Sequence, residues 1–265
     1  MSFAYHSQSQ LPRAITPKTL AHADHSIDIH NYARWWGGII GQDGPSAATF
    51  AQTWAQIASH WASQPRIIFA TMNEPHDDFN AKGQNLNNFN MATWAATLQT
   101  VVNAIRNAGA KSQIILLSPS NYANAIDFVN RADALLTVTD PVDSTKANLI
   151  FELHQYFDTV GGKTTVCNDT GIAAKFQTTA NYLKQKGRKA FIGELGGGND
   201  DDCVTMIGGV LDVLNNNGDQ FIGWTSWAAG NWWPSYELSE VPPSSSSDVG
   251  IVAKAFAPKF APYRS

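Results

Sequence analysis

Charge is scarce in this chain: Lys, Arg, Asp and Glu make up 15% of its 265 residues, the formal net charge is −4, and no block of one sign occurs. A protein that grips nucleic acid or an anionic membrane surface needs clustered positive charge, so neither partner is expected. Long apolar runs are also missing. Nothing approaches the roughly 20 residues of a membrane-spanning helix, and residues 1–25 lack the uninterrupted apolar stretch of a signal peptide, which predicts a soluble chain. Short metal-binding spacings such as HxH or HExxH are absent as well. His30, Glu74, His154 and Glu194 are residue types that can ligate zinc, but without such spacing the expectation is no metal. Cysteine is limited to Cys167 and Cys203. An even count suits an extracellular disulfide, with two free buried thiols as the alternative. Asn168-Asp169-Thr170 fits the N-glycosylation acceptor pattern, a triplet too common by chance to carry weight.

Against these absences stand 43% hydrophobic residues and nine tryptophans. A chain of this size buries a substantial core, and α/β barrels of similar length form one domain, so residues 1–265 are expected to be a single domain. Short apolar runs alternate with amphipathic stretches, the pattern of repeated βα units around a parallel sheet. Six units are readable, with strands at Ser26 to His30, Arg66 to Met72, Gln113 to Leu117, Asn148 to Leu153, Lys189 to Gly193 and Gln220 to Ser226. Phe50, Trp54, Ile57, Ala58 and Trp61 recur at helical spacing, as do Trp94, Leu98, Val101, Val102 and Ile105, with Gly109 closing the second stripe. Further helices are predicted over Ala123 to Leu136, Ile172 to Lys186 and Val204 to Leu214. Val241 to Asp248 reads as a loop and Val249 to Phe256 as a short closing helix. Pro12 and Pro17 break any long helix in residues 1–25, an atypical N-terminal segment without a clear strand.

Parallel α/β folds gather their chemistry at the carboxyl ends of the strands. The residues following the apolar runs are His30-Asn31-Tyr32, Asn73-Glu74-Pro75-His76, Ser120-Asn121-Tyr122, His154-Gln155-Tyr156, Glu194 and Trp227. Glu74 and Glu194 each end an apolar strand, where a carboxylate is costly unless it is paired or used. Two facing carboxylates are the apparatus of a glycosidase: one protonates the leaving oxygen, the other attacks the anomeric carbon, and a separation of roughly 5 to 5.5 Å predicts retention. An ionised partner keeps the other protonated near neutral pH. Asn73 is suited to a sugar 2-hydroxyl. Tyr156 can donate to Glu194, while His30 and His154 can orient carboxylates or bind hydroxyls. Trp227 offers a flat face beneath a sugar ring, and Trp35, Trp36, Trp232 and Trp233 can line further subsites or seal the strand ends.

The segments DIHNYARW, MNEPHD, LIFELHQYFD, IGELGGGN and GWTSWAAG, in this order and spacing, resemble the fungal endo-β-1,4-glucanases of glycoside hydrolase family 5. The resemblance runs from about Ser26 to about Gly230. It implies a TIM (β/α)8-type barrel, no cofactor, retention of configuration, secretion, and cellulose-like β-glucan as substrate. By matching motif positions, it makes Glu74 the acid/base and Glu194 the nucleophile, with His30, Asn73, His154, Tyr156 and Trp227 as the supporting shell; Asn31 and Trp35 are candidate substrate-binding residues by their place after the first strand. It also pairs Cys167 with Cys203. Family members carry two βα units before the strand ending in DIHNY, the second supplying an arginine near the nucleophile. Neither unit is readable here, and neither Arg13 nor Arg34 occupies the matching motif. Tyr122 stands where relatives often place Trp. The expected barrel is thus N-terminally truncated or modified, and a six-strand sheet would leave two parallel edges: the readings are a misassembled gene product, a reduced barrel closed by the N-terminal segment as a monomer or by a dimer, or a fragment. The alternatives to an endoglucanase are a β-mannanase of the same family and a catalytically impaired glucan-binding protein that retains the tryptophan platform.

Overall fold

The computed structural model describes residues 24–168, 171–230, 232–233, 235–244 and 247–260. Nearly all of the N-terminal segment with Pro12, Arg13 and Pro17, and Asp169 and Thr170 of the glycosylation triplet, lie outside the described residues. Two compact units meet in sequence between Glu152 and Leu153. Six parallel strands, all close to their expected positions, give the α/β barrel-type class predicted.

The first unit contains β1 (His25–Asp28), the two-residue strands β2 (Arg34–Trp35) and β3 (Gly38–Ile39), α1 (Ala47–Trp61), β4 (Ile67–Ala70), α2 (Met91–Asn107), β5 (Ile115–Leu117) and the start of β6 (Leu149–Tyr156). The order in its sheet is β1-β4-β5-β6, with His25 opposite Ile67, Phe69 opposite Ile115 and Ile115 opposite Leu149. Polar side chains define where the helices begin. Ser46 accepts the Thr49 N–H ahead of α1, and Asn90 accepts the Ala92 and Thr93 N–H groups ahead of α2, satisfying amides that have no partner inside the helix. The helical stripes face the sheet: Trp54 and Trp94 are buried and their indole N–H groups donate to the Thr71 and Ser118 carbonyls at 3.1 and 2.9 Å. Two core tryptophans thus tie the helices to the ends of the strands from which site residues emerge.

The second unit holds the end of β6, α3 (Ile172–Lys186), β7 (Ala190–Gly196), α4 (Asp201–Asn216) and β8 (Phe221–Trp224), in the sheet order β6-β7-β8. Gly187 ends α3 in the left-handed conformation at φ 60°, and Asp200 caps α4 by accepting the Cys203 N–H at 2.8 Å. Val241 to Asp248 is a loop in its described part, and the closing helix tightens from a π turn at Val252–Phe256 into a 3-10 turn at Ala257–Lys259. Among the described residues no helix is long and apolar enough to cross a membrane.

The helix expected over Ala123 to Leu136 does not form; two 3-10 turns, Phe128–Asn130 and Asp133–Thr137, take its place. Side chains compete with the helical ladder there. Asn124 accepts the Asp127 N–H, while the Asp127 carboxylate gathers Asn121, Asn130 and Arg131 at 2.8 to 2.9 Å. Asn121, Tyr122 and Ala123 also hold left-handed φ values of 54 to 59°, which no helix tolerates.

Arg106 of α2 is fully buried with Asp140. Its Nε donates to both Asp140 oxygens at 3.1 Å, one terminal nitrogen to Asp140 at 2.8 Å, and the other to the Ala110 carbonyl at 2.7 Å. Removing one member strands an uncompensated charge. Asp140→Ala is therefore expected to lower the unfolding free energy by about 3–5 kcal/mol, and Arg106→Met combined with Asp140→Leu by clearly less, both read by urea denaturation.

Candidate active site

Glu194 lies near the end of β7 and is only 5% exposed. A carboxylate so enclosed requires hydrogen-bond donors. Strand β6 supplies them, because residues two apart project to one face of a strand: the Tyr156 hydroxyl donates to Glu194 Oε2 at 2.6 Å, and His154 Nδ1 lies 3.4 Å from the same oxygen. His154, Tyr156 and Glu194 are thus brought together, as the sequence predicts.

The Tyr156 ring is held in turn by the loop that follows it. Asp158 accepts the N–H groups of Gly162, Lys163 and Thr164 at 2.7 to 2.9 Å, curling the chain back over the ring. The Tyr236 hydroxyl fastens this loop through the Gly162 carbonyl at 2.9 Å. Gly162 adopts φ 79°, and a Cβ there would sit 2.6 Å from Tyr156 Cε1, so both backbone and space require glycine. Downstream, a Cys167–Cys203 disulfide joins the same loop to the first turn of α4, the pairing that the resemblance implied and the free-thiol alternative did not.

Trp227 follows β8 and is 8% exposed, with its ring 5.4 Å from Trp233 in an edge-on contact. Trp233 packs on Tyr236, while Trp232 stands 74% exposed. Glu240, also buried, accepts the Ser226 hydroxyl at 2.6 Å. Burial pushes the Glu240 carboxyl up to about 7 against the smaller opposing effect of that hydrogen bond.

In the first unit, His30 follows β1 with its Nδ1 3.0 Å from Asp28 and its Nε2 3.2 Å from the Asn73 amide nitrogen. The Asn73 amide donates to the ring, which places the histidine proton on Nδ1 toward Asp28. Asn73 is fixed further by its own N–H to the Ile29 carbonyl at 3.0 Å. Glu74 comes next at φ 45°, a left-handed value that costs a residue with a Cβ about 1–2 kcal/mol. The Asn73 N–H bond before it and the Tyr122 N–H to Pro75 carbonyl bond after it, at 3.1 Å, hold that conformation. Burial, followed by the Glu74 negative charge, raises the Tyr122 phenol above its ordinary range.

Tyr122 stacks on His76 at 4.2 Å, His76 meets Tyr32 at 5.7 Å, and Tyr32 meets His30 at 5.6 Å, a row of rings beside the Asn73-Glu74 turn. Arg34 ties the row's backbone, donating to the His76 carbonyl at 2.6 Å and to Asp78 at 2.7 Å. It is engaged in this loop. Trp35 is 40% exposed and Trp36 93% exposed, edge to face on the β2–β3 hairpin. Asn31 is not drawn into the hydrogen-bonded cluster: its amide nitrogen and oxygen are buried without a hydrogen-bond partner among the described residues.

Sequence reasoning missed Asp28, Asp158, Gly162 and Glu240. For Asp28 a signal existed, since it stands two residues before His30 and so shares its strand face. Two outcomes follow from this geometry. Gly162→Ala forces the Tyr156 ring aside and is expected to cost about 1–3 kcal/mol of stability in urea denaturation. For Glu240, the folded state holds its proton up to about pH 7, whereas the unfolded carboxyl releases it near its ordinary value of 4.5. Between these values the folded state binds more protons, so this group's contribution to stability falls as pH rises from 4.5 to 7 and is level outside that window. Glu240→Gln removes that fall, and the variant is expected to gain on the order of 2–3 kcal/mol on wild type between pH 4 and pH 8, read by melting temperature across the range.

Comparison with known proteins gives a consistent picture. The family profile described as Cellulase (glycosyl hydrolase family 5) matches residues 22–230. Endoglucanase EG-II of Hypocrea jecorina is 43% identical over 239 residues, covering 88% of this chain and 54% of that protein. The chain thus spans about half the length of this curated relative. The crystal structure of Cel5A (EG2) from Hypocrea jecorina superposes with a TM-score of 0.79 at 42% identity, covering 87% of this chain and 68% of that one. XacCel5A, crystallised in complex with cellopentaose, gives 0.74 at 32% identity, covering 87% and 72%. With the family profile matched over most of its length and the strand-end residues of that resemblance in their expected elements, the chain belongs to the cellulase family, glycosyl hydrolase family 5.

Proposed function

We propose that residues 1–265 form one catalytic domain of a secreted endo-β-1,4-glucanase that cleaves cellulose-like β-glucan with retention of configuration. The observation that carries the proposal is the Glu194 carboxylate, buried and hydrogen-bonded by Tyr156 at 2.6 Å with His154 at 3.4 Å. In this reading Glu194 attacks the anomeric carbon while Glu74, protonated, gives its proton to the departing glycosidic oxygen. Glu74, now ionised, then takes a proton from water, whose oxygen attacks the same carbon and releases Glu194. Asn73, oriented through His30 and Asp28, hydrogen-bonds the sugar 2-hydroxyl. Trp227 lies under the sugar at the cleavage point, and Asn31 and Trp35 contact sugars alongside. The family membership and the endoglucanase relatives support the substrate class, and cellopentaose is the ligand with which one neighbour was crystallised.

Reducing-sugar release from carboxymethylcellulose tests the proposal. Glu194→Gln is expected to reduce release roughly 10³-fold or more. Tyr156→Phe, which removes one hydrogen bond to a charged group, is expected to lower kcat about 10- to 100-fold. A folded wild type that binds cellulose and releases nothing overturns the catalytic reading in favour of a binding protein. Release from mannan in place of glucan reassigns the substrate.

A further inference from the structure

Glu240 is a buried carboxyl for which the two-glutamate chemistry has no use. It belongs to the Leu238-Ser239-Glu240-Val241 stretch of the loop after Trp233, where a glutamate would ordinarily point to water. Instead it grips the chain on both sides of Trp227. Its side chain accepts the hydroxyl of Ser226, the residue before the indole, at 2.6 Å. Its backbone N–H donates to the carbonyl of Ala228, the residue after it, at 2.9 Å. The Trp227 N–H is itself bound to the Leu195 carbonyl at 3.0 Å, one residue beyond Glu194. The backbone carrying the indole is therefore fixed at three consecutive residues, and Glu240 supplies two of the three contacts.

A buried carboxyl is a costly way to fill space, because an apolar residue of similar volume would leave the unit more stable. Its retention is explained by what the side chain orients. We infer that Glu240 is a positioning residue that acts through Ser226 to set the indole of Trp227 for glucan binding. This inference rests on Trp227 serving as the sugar platform in the function proposed above. Glu240 itself touches no sugar in this account. Its effect passes through Ser226 and is absent once Ser226 lacks its hydroxyl.

The experiment reads Trp227 directly and then through substrate. Acrylamide quenching of tryptophan fluorescence is measured for wild type, Glu240→Ala, Glu240→Gln and Ser226→Ala. Each is paired with the same protein carrying Trp227→Phe, so that the difference within a pair isolates Trp227 from the other eight tryptophans. Circular dichroism establishes that each variant is folded. Glu240→Ala and Ser226→Ala are expected to raise the quenching of Trp227 to a similar extent, and their combination to add nothing further. Glu240→Gln, whose side-chain carbonyl still accepts the Ser226 hydroxyl, restores the wild-type value. On soluble glucan oligomers the two alanine variants are expected to raise KM roughly three- to tenfold with kcat little changed, the size of one lost aromatic contact. A purely structural defect would lower the amount of active protein, and so the apparent kcat, without moving KM. Unchanged Trp227 quenching in folded Glu240→Ala overturns the inference whether or not the protein is active. Altered quenching with unchanged KM leaves Glu240 holding the indole but removes Trp227 from substrate binding, and so overturns its role. If the wild type releases no sugar, the dissociation constant for cellopentaose takes the place of KM, so that failure of the catalytic reading and failure of this inference stay distinct.

Discussion

Glu194 is 5% exposed, yet its carboxyl oxygen receives the Tyr156 hydroxyl at 2.6 Å, and much of the second unit is arranged around that contact. A carboxylate withdrawn from water loses several kcal/mol of hydration that only close donors can offset. Tyr156 is the last residue of β6, where strand geometry alone no longer holds a side chain. The Asp158 loop supplies the missing constraint, with three backbone N–H groups converging on one carboxylate and Gly162 lying against the phenol ring. The disulfide from Cys167 to Cys203 then fixes the far end of that loop to α4. Rigid contacts of this kind let a ring keep its place to within a fraction of an ångström, as acid–base and nucleophilic chemistry demands.

Glu74 is placed by different means. Its backbone holds φ 45°, a conformation unfavourable for any side-chain-bearing residue, and hydrogen bonds on either side maintain it. The preceding residue, Asn73, is bound through its side chain to His30 and through its amide to Ile29. Backbone strain at such a position persists only where the surroundings over-determine it, and here β1 and the Tyr122 turn do so. The Glu194 carboxylate is thus held by side-chain donors, and the main chain at Glu74 is held in a strained conformation by its neighbours.

The strands were readable because each is a short apolar run that ends in polar or aromatic residues, and β6, buried along nearly its whole length, is the clearest instance. The candidate site residues are readable for a related reason. A glutamate directly after IIFATMN or KAFIG contradicts its apolar neighbours, and that contradiction is visible in one dimension. The segment after Ser120 was misread as helix because Ala123, Ala125, Phe128 and Leu135 supply an apolar pattern, while the competing Asx hydrogen bonds of Asn121, Asn124 and Asp127 depend on exact geometry. Asp158 and Glu240 escaped notice for a third reason. Each sits in a polar loop where an acid is ordinary, and each acquires its meaning from partners that only folding supplies: the backbone amides of a curled loop for Asp158, and Ser226, fourteen residues away, for Glu240.

A division of labour between strands and loops accounts for what this architecture fixes and what it leaves free. Strand ends deliver Asn73, His154, Tyr156 and Glu194 to positions dictated by sheet register, which cannot shift by one residue without turning every side chain to the opposite face. The tryptophans are held by looser means. Trp36, 93% exposed, projects from the turn between the two-residue strands β2 and β3 and touches Trp35 edge to face. Trp232 is 74% exposed in a loop, whereas Trp227 is buried and anchored through residues 226 to 228. The exposed loop tryptophans are thus less constrained than the side chains at the strand ends. Under the proposed function, discrimination between polymers that share a β-1,4 backbone, glucan against mannan for example, would fall to the loop aromatics, because the two proposed carboxylates would make the same demands of either sugar.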